Sequence, residues 1–189
     1  MVSKSGYARQ MVQDMFDLLK LESGEVDLNL EKVAVAQFIT DVAERFRIEM
    51  EATGKKVELL VQETGKSVKM ERWLELDIHR MMRVMQNLLD NAVKFSRGSG
   101  DRIELKWEVQ ADKFRVEVTD FGRGIEPALL PFVFNRFYVQ KNANPNGSGI
   151  GLSVVKEIIE RHRGEVGVRS VVGKGSTFFF TIPLSPQNS

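Results

Sequence analysis

Residues 77–95, DIHRMMRVMQNLLDNAVKF, constrain this chain more than any other stretch. Ile78, Met81, Met82, Met85, Leu88, Leu89 and Ala92 recur at the i, i+3, i+4, i+7 spacing of an amphipathic helix. At about 100° per residue they share one apolar face, and Arg80, Arg83, Asn87, Asn91 and Lys94 fall opposite. Asparagine is a poor helix former, yet two stand one turn apart in mid-helix, where glutamate or lysine would serve solubility better. A local rule broken without visible gain points to a site. The amide oxygens of Asn87 and Asn91 are hard, neutral ligands suited to Mg2+, and Lys94 can meet a phosphate as a point charge. Taken alone, the helix reads equally well as a solvated polar face carrying two incidental asparagines.

Composition narrows the classes. A chain of 189 residues can bury one good core and carry an appendage. A formal net charge of +1 points to neither a nucleic acid nor an anionic membrane as the main partner. The lack of cysteine excludes disulfides, zinc ribbons and thiol chemistry, and fits a reducing compartment. No apolar run is long enough to span a bilayer, and the N-terminus lacks a basic-then-apolar signal pattern. The expectation is a soluble piece of cytoplasmic type.

Residues 7–22 read as a first helix, with Tyr7, Met11, Met15, Leu18 and Leu19 on one side and Ser23-Gly24 as its stop. It is either the end of a larger helical element or a helix folded onto the domain. Residues 26–30 alternate like a strand, 35–52 carry a second amphipathic helix, and 57–61 read as a strand. Residues 103–107 and 114–118 alternate apolar and charged positions and turn at Ala111-Asp112, which predicts adjacent antiparallel strands. A loop-rich region over 121–149 leads to a helix over 151–161 and strands near 165–169 and 177–182. Grouped strands and helices without strict βαβ alternation predict a two-layer α/β sandwich, with helices on one face of a mixed sheet.

Two further motifs carry chemistry. Asp120-Phe121-Gly122-Arg123-Gly124-Ile125 follows directly on a strand. A carboxylate there accepts from the exocyclic amino group of adenine and repels the acceptor that guanine presents. The glycines admit a flat ring close to the backbone. The same residues also suit a plain strand-ending turn. Gly147-Ser148-Gly149-Ile150-Gly151-Leu152 opens a helix whose first N–H groups and dipole form an anion site. It is no dinucleotide fingerprint, because a polar loop and not a strand precedes it. Gly173-Lys174-Gly175-Ser176-Thr177 lacks the spacing of a phosphate-binding P-loop and enters a strand.

In order, the chain reads Asn…Asn-Ala-x-Lys-Phe, Asp-x-Gly-x-Gly-Ile, Phe-x-Arg-Phe-Tyr, Gly-x-Gly-x-Gly-Leu and Gly-x-Gly-Ser-Thr. This resembles the ATP-binding catalytic domain of sensor histidine kinases, in the GHKL superfamily with gyrase and the mismatch-repair ATPases. The resemblance implies a Bergerat-type fold, a mixed and mostly antiparallel sheet, with ATP and Mg2+ between the Asn helix and a lid. It assigns Asn91 to Mg2+ with Asn87 assisting, Asn87 and Lys94 to catalysis, Lys94 to phosphate and Phe95 to the adenine flank. Asp120 would read the adenine amino group with Thr177 supporting through water, and Gly122, Gly124 and Ile125 would complete that wall. Gly147, Ser148, Gly149, Ile150, Gly151 and Leu152 would border the triphosphate, near Tyr138. Many members carry an Arg after the Phe-Tyr pair; here Val139 stands there, leaving Lys141 or Arg136 as substitutes. Arg163 replaces the first glycine of the usual His-Gly-Gly, which is expected to be a surface change.

The same resemblance divides the chain into the end of a dimerisation and phosphoacceptor helix (1–24), the catalytic domain (25–185) and a tail (186–189). The acceptor motif itself is absent, and His79 and His162 are the only histidines. Each is expected to be structural or at the surface. The implied function is a protein-histidine kinase module that positions MgATP for a histidine on a separate helical hairpin. The implied partners are that hairpin and the receiver domain of a response regulator, in a homodimeric, cytoplasmic or membrane-anchored parent, with this piece monomeric. An ATP-hydrolysing GHKL protein and a nucleotide-sensing module without transfer activity are the rival readings.

Overall fold

A computed structural model describes residues 12, 15, 16, 19, 27–65, 72–96, 102–110, 112–138 and 149–185. In chain order the elements are β1 (Glu31–Ala34), α1 (Val35–Thr53), β2 (Glu58–Glu63), β3 (Trp73–Leu76), α2 (Ile78–Phe95), β4 (Arg102–Gln110) and β5 (Lys113–Asp120). A 3-10 helix (Pro127–Phe132), α3 (Gly151–Arg161), β6 (Glu165–Val171) and β7 (Gly175–Pro183) follow. Five strands form one mixed sheet in the order β2-β4-β5-β7-β6; β2 runs parallel to β4 and every other pair is antiparallel. β1 and β3 pair separately as a two-stranded ribbon.

The period-two pattern decides which face of the sheet is covered. Ile103, Leu105, Phe114, Val116, Val118, Phe178, Phe180 and Ile182 are buried in one core with the apolar faces of the three helices. Phe38 of α1 meets Phe114 of β5 edge to face, with centroids 6.4 Å apart. The alternate residues stay partly exposed and carry charge ladders, such as Lys106–Glu104 at 2.7 Å and Arg169–Glu117 at 2.7 Å. Helices on one face and a polar second face make the two-layer sandwich that the sequence predicts.

Helix α2 starts because Asp77 caps it, its Oδ1 accepting the Arg80 N–H at 3.1 Å. Met81, Val84, Met85, Leu88, Leu89 and Ala92 are buried, so Val84 widens the expected apolar stripe, while Ile78 and Met82 pack at its edge. The strand expected over 26–30 is displaced to Glu31–Ala34. The backbone N–H of Asn29 donates to the Asp77 carboxylate at 3.2 Å instead of to a neighbouring strand. The partner, β3, is too short to stand out in sequence and buries Leu74 and Leu76 completely. Of the helix expected over 7–22, only Val12, Met15, Phe16 and Leu19 are described; they are helical and exposed. The rest of that helix lies outside the described residues.

Helices α1 and α3 end in the same motif with different residues. After α1, Gly54 (φ 67°) donates to Glu51 O at 3.2 Å and Lys55 to Met50 O at 3.1 Å. After α3, Arg163 (φ 59°) donates to Glu160 O at 2.9 Å and Gly164 to Ile159 O at 2.9 Å. Both are Schellman caps, which need one residue in the left-handed region. Arg163 is exposed, as expected, but it occupies a backbone conformation that suits glycine. Arg163→Gly is therefore expected to raise stability by about 0.5–1 kcal/mol, read as a higher urea midpoint at unchanged slope. An unchanged or lower midpoint would show that the Arg163 side chain offsets its backbone strain.

Candidate functional site

One helical face presents the expected donors. Asn87, Asn91 and Phe95 are half-buried and follow at steps of four along α2, with Lys94 exposed beside them. The side-chain amides of Asn87 and Asn91 have no hydrogen-bond partner among the described residues. At the end of the helix the Lys94 ammonium lies 5.2 Å from the centroid of the Phe95 ring, and the Arg123 guanidinium 4.9 Å from it. Partial burial, and then the nearby Arg123 charge, draw the Lys94 pKa below the usual lysine value. A second cation thus joins the Lys-Phe pair, and nothing in the spacing of the motif announces it.

The glycine loop comes in from the other side. Helix α3 starts at Gly151, and a Cβ on that glycine would lie 3.4 Å from the Asn87 amide oxygen, so the first turn of α3 abuts the Asn helix. No side chain caps this turn, which leaves its leading N–H groups suited to an anion. Gly149 (φ 68°) lets the chain pass beneath Phe137 and Tyr138; a Cβ there would come within 2.9 Å of the Phe137 Cα. Ile150 is a correction to the expected set. Its side chain is wholly buried in the core, where it anchors the loop, so only its backbone can border a ligand. Leu152 likewise packs against the core.

Asp120 ends β5 and is 3 % exposed. Its Oδ1 accepts the Gly122 N–H at 2.9 Å. Burial pushes the carboxyl up from its ordinary range, while N–H groups from Gly122, Ser176 and its own backbone pull it back. Gly122 is required because a Cβ would run into the Phe95 carbonyl oxygen, which joins this loop to the end of α2. Gly124 (φ 73°) lies against the Val171 carbonyl, and the Ile125 N–H donates to Ser170 Oγ at 2.8 Å. These two contacts fasten the loop to β6. Thr177 is a second correction. Strand alternation puts it on the sheet face opposite Asp120, and its hydroxyl lies 2.9 Å from that of Thr119. The hydroxyl on the Asp120 side is Ser176, the cross-strand neighbour of Asp120, which bonds Ser170 Oγ at 3.0 Å.

Tyr138 closes the described part of this rim. Its hydroxyl is buried without a hydrogen-bond partner, and burial followed by the Glu126 charge raises its pKa, with Arg123 opposing. Arg136 is exposed in the turn before it. Lys141, Gly147 and Ser148 lie outside the described residues, as does Val139. Of the histidines, His79 is exposed on the first turn of α2, and His162 is buried at the end of α3. Arg123, Ser170 and Ser176 are the residues that sequence reasoning passed over. Ser176 had a signal in the Gly-Ser-Thr triplet; Ser170 had none.

The arrangement fits a nucleotide with its metal. The Asn87 amide lies against an uncapped helix start, the Asn91 amide follows one turn further along α2, an aromatic ring with two cations stands at the end of that helix, and a buried carboxylate ends β5. Among the described residues no three His, Cys, Asp or Glu side chains gather as a metal site. The donors for a cation here are amide oxygens and whatever a ligand brings.

Residues 76–186, more than half of the chain, match the family described as histidine kinase-, DNA gyrase B-, and HSP90-like ATPase. The chain is 28% identical over 183 residues to the sensor histidine kinase WalK of Bacillus subtilis, covering 94% of this chain and 29% of that protein. It spans between about a fifth and three tenths of the length of the curated relatives it matches. The fold is that of full-length ShkA in complex with AMPPNP, at a TM-score of 0.80 and 23% identity, covering 98% of this chain and 38% of that one. Histidine kinase ThkA, solved with the response regulator protein TrrA, matches at a TM-score of 0.69 and 20% identity over all of this chain and 53% of that one. Family and fold thus agree, and the chain belongs to the histidine kinase-, DNA gyrase B- and HSP90-like ATPase family.

Proposed function

We propose that this chain is the module of a two-component sensor kinase that holds MgATP and presents its γ-phosphoryl to a histidine on a separate helical hairpin. The observation that carries the reading is the approach of Gly151 to the Asn87 amide, which sets that amide against an uncapped helix start. Asn91, assisted by Asn87, would hold Mg2+, and Lys94 with Arg123 would balance phosphate charge. Asp120 would select adenine, Phe95 would flank it, and Gly149 and Gly151 would border the triphosphate. Bound Mg2+ supplies charge neutralisation and alignment of the phosphates. The chain's own residues supply position and exclude water.

Asn87 separates this reading from the ATPase rival. A hydrolase needs a general base against the attacking water, and an amide takes up no proton at neutral pH. The chain should hold ATP with very slow turnover. The acceptor hairpin, the receiver domain of a response regulator, a homodimeric parent and a cytoplasmic setting belong to the same proposal. The ThkA complex with TrrA supports the receiver as a partner, and among the described residues no helix is long and apolar enough to cross a membrane.

The test uses the isolated chain with γ-32P-ATP. It should bind MgATP yet not label itself, since His79 is exposed at the far end of α2 from Lys94 and His162 is buried. Adding the helical hairpin of the parent kinase should give an acid-labile, alkali-stable label, slowly, because the domains must meet without a linker. Robust phosphate release that disappears on Asn87→Ala would favour the ATPase reading. Tight ATP binding with a hairpin that is never labelled would favour the sensing module.

A further inference from the structure

The Asn helix α2 and helix α3 run antiparallel and meet at two places. At the site end Gly151 abuts Asn87. At the other end His162, just past α3, reaches the start of α2. His162 is 7 % exposed; its Nε2 accepts the Asp77 backbone N–H at 2.9 Å, and its Nδ1 donates to the Ile158 carbonyl at 2.7 Å. One nitrogen must accept and the other must donate, so only the neutral Nδ1–H imidazole satisfies both. Asp77 is the residue that caps α2, and its carboxylate also takes the Arg80 Nε–H at 3.1 Å and the Asn29 N–H at 3.2 Å. The two junctions are ten residues apart on α2, or roughly 15 Å at the helical rise of ~1.5 Å per residue.

We propose that His162 is a positioning residue for the nucleotide site: the His162–Asp77 hydrogen bond pins the far ends of α2 and α3 and so fixes the separation of Asn87 from the first turn of α3. The idea rests on the nucleotide reading above for its consequence, but not for its geometry. Protonation of His162 turns Nε2 from an acceptor into a donor facing the Asp77 N–H, which breaks the pin. Burial, the largest influence, lowers the His162 pKa; the Ile158 carbonyl and the Asp77 charge favour the imidazolium, the Arg80 charge opposes it, and the balance holds the pKa below the usual histidine value. The sign follows. The neutral ring is favoured in the fold, so the pin is intact above the unfolded histidine pKa of about 6.5 and is lost as pH falls through the lower folded value.

Two measurements test this. In the nucleotide-free protein, the side-chain amide resonances of Asn87 should titrate together with the His162 ring, although the two junctions are ten residues apart along α2, and should be flat in His162→Gln. Gln places an acceptor near the Nε2 position and carries no titration. In binding experiments with ADP and Mg2+, wild-type affinity should fall about three- to tenfold more than that of His162→Gln as pH is lowered from 7 through the His162 titration read by NMR, the worth of one hydrogen bond. The variant subtracts the titration of the nucleotide and of every other group in the chain. His162→Phe, which leaves the Asp77 N–H unmet, should bind three- to tenfold more weakly than wild type already at pH 7. Flat Asn87 resonances, or the same acid loss in His162→Gln as in wild type, would overturn the proposal. If no nucleotide binds at all, the function proposed above fails, and the Asn87 titration still decides the pin.

Discussion

Asp120→Asn is expected to weaken ATP binding by about 1.5–3 kcal/mol, or roughly ten- to a hundredfold, the range for losing a charged hydrogen bond. GTP, already repelled, should change little, so the preference for adenine collapses. The substitution keeps the shape, removes the charge and turns one acceptor oxygen into an NH2 donor. One amide oxygen can still take the Gly122 N–H that the carboxylate takes at 2.9 Å. The amide NH2 meets the second inward N–H, from Ser176, and that bond is lost. Against this, a carboxylate whose pKa burial has raised no longer has to be held ionised at neutral pH. These two effects oppose, so stability without nucleotide should move by less than about 1 kcal/mol. Calorimetry with ATP and GTP, alongside urea denaturation of the same samples, separates recognition from folding. Equal affinity of the unmodified chain for the two nucleotides would sink the role given to Asp120.

Asn91→Ala should erase the part of ATP affinity that depends on Mg2+, so that the variant with metal behaves like the wild type with EDTA. Amide oxygens alone make a weak site, and Mg2+ should bind appreciably only together with the phosphates. The fold should gain from the change. The Asn91 amide has no partner to lose among the described residues, and alanine is the better helix former by about 0.5 kcal/mol. Higher stability with lower metal-dependent affinity is the signature of a residue kept for function. A variant that is badly unfolded without nucleotide would instead assign Asn91 a structural part.

The elements that the sequence predicts well are those whose determinants are local. Helix α3 runs from Gly151 to Arg161 as read, because a glycine-rich entry starts it and a Schellman cap stops it. The Asn helix follows from its apolar stripe and from Asp77 at its start. β4, β5 and β7 follow from period-two alternation, which needs only one buried face to show itself. The motif order points to the family because each motif is a short run with its own chemistry.

What only the tertiary structure decided depends on register and on contacts distant in sequence. The segment 26–30 alternates like a strand, but its described residues, 27–30, form none, and the Asp77 carboxylate takes the Asn29 N–H. Whether Ser176 or Thr177 shares the face of Asp120 is set by the β5–β7 register, and a shift of one residue would exchange them. Gly122 and Gly124 read as freedom to meet a ligand; in the fold their missing Cβ atoms make room for the Phe95 and Val171 carbonyls, as that of Gly175 does for the Asp120 carbonyl. Arg123 comes to share the Phe95 ring with Lys94 only because Gly122 brings the loop onto the end of α2. His162 and Asp77 are 85 positions apart, and no local pattern links them. Local chemistry fixed which residues carry the site; chain pairing across the sheet and between the helices fixed which of them face it.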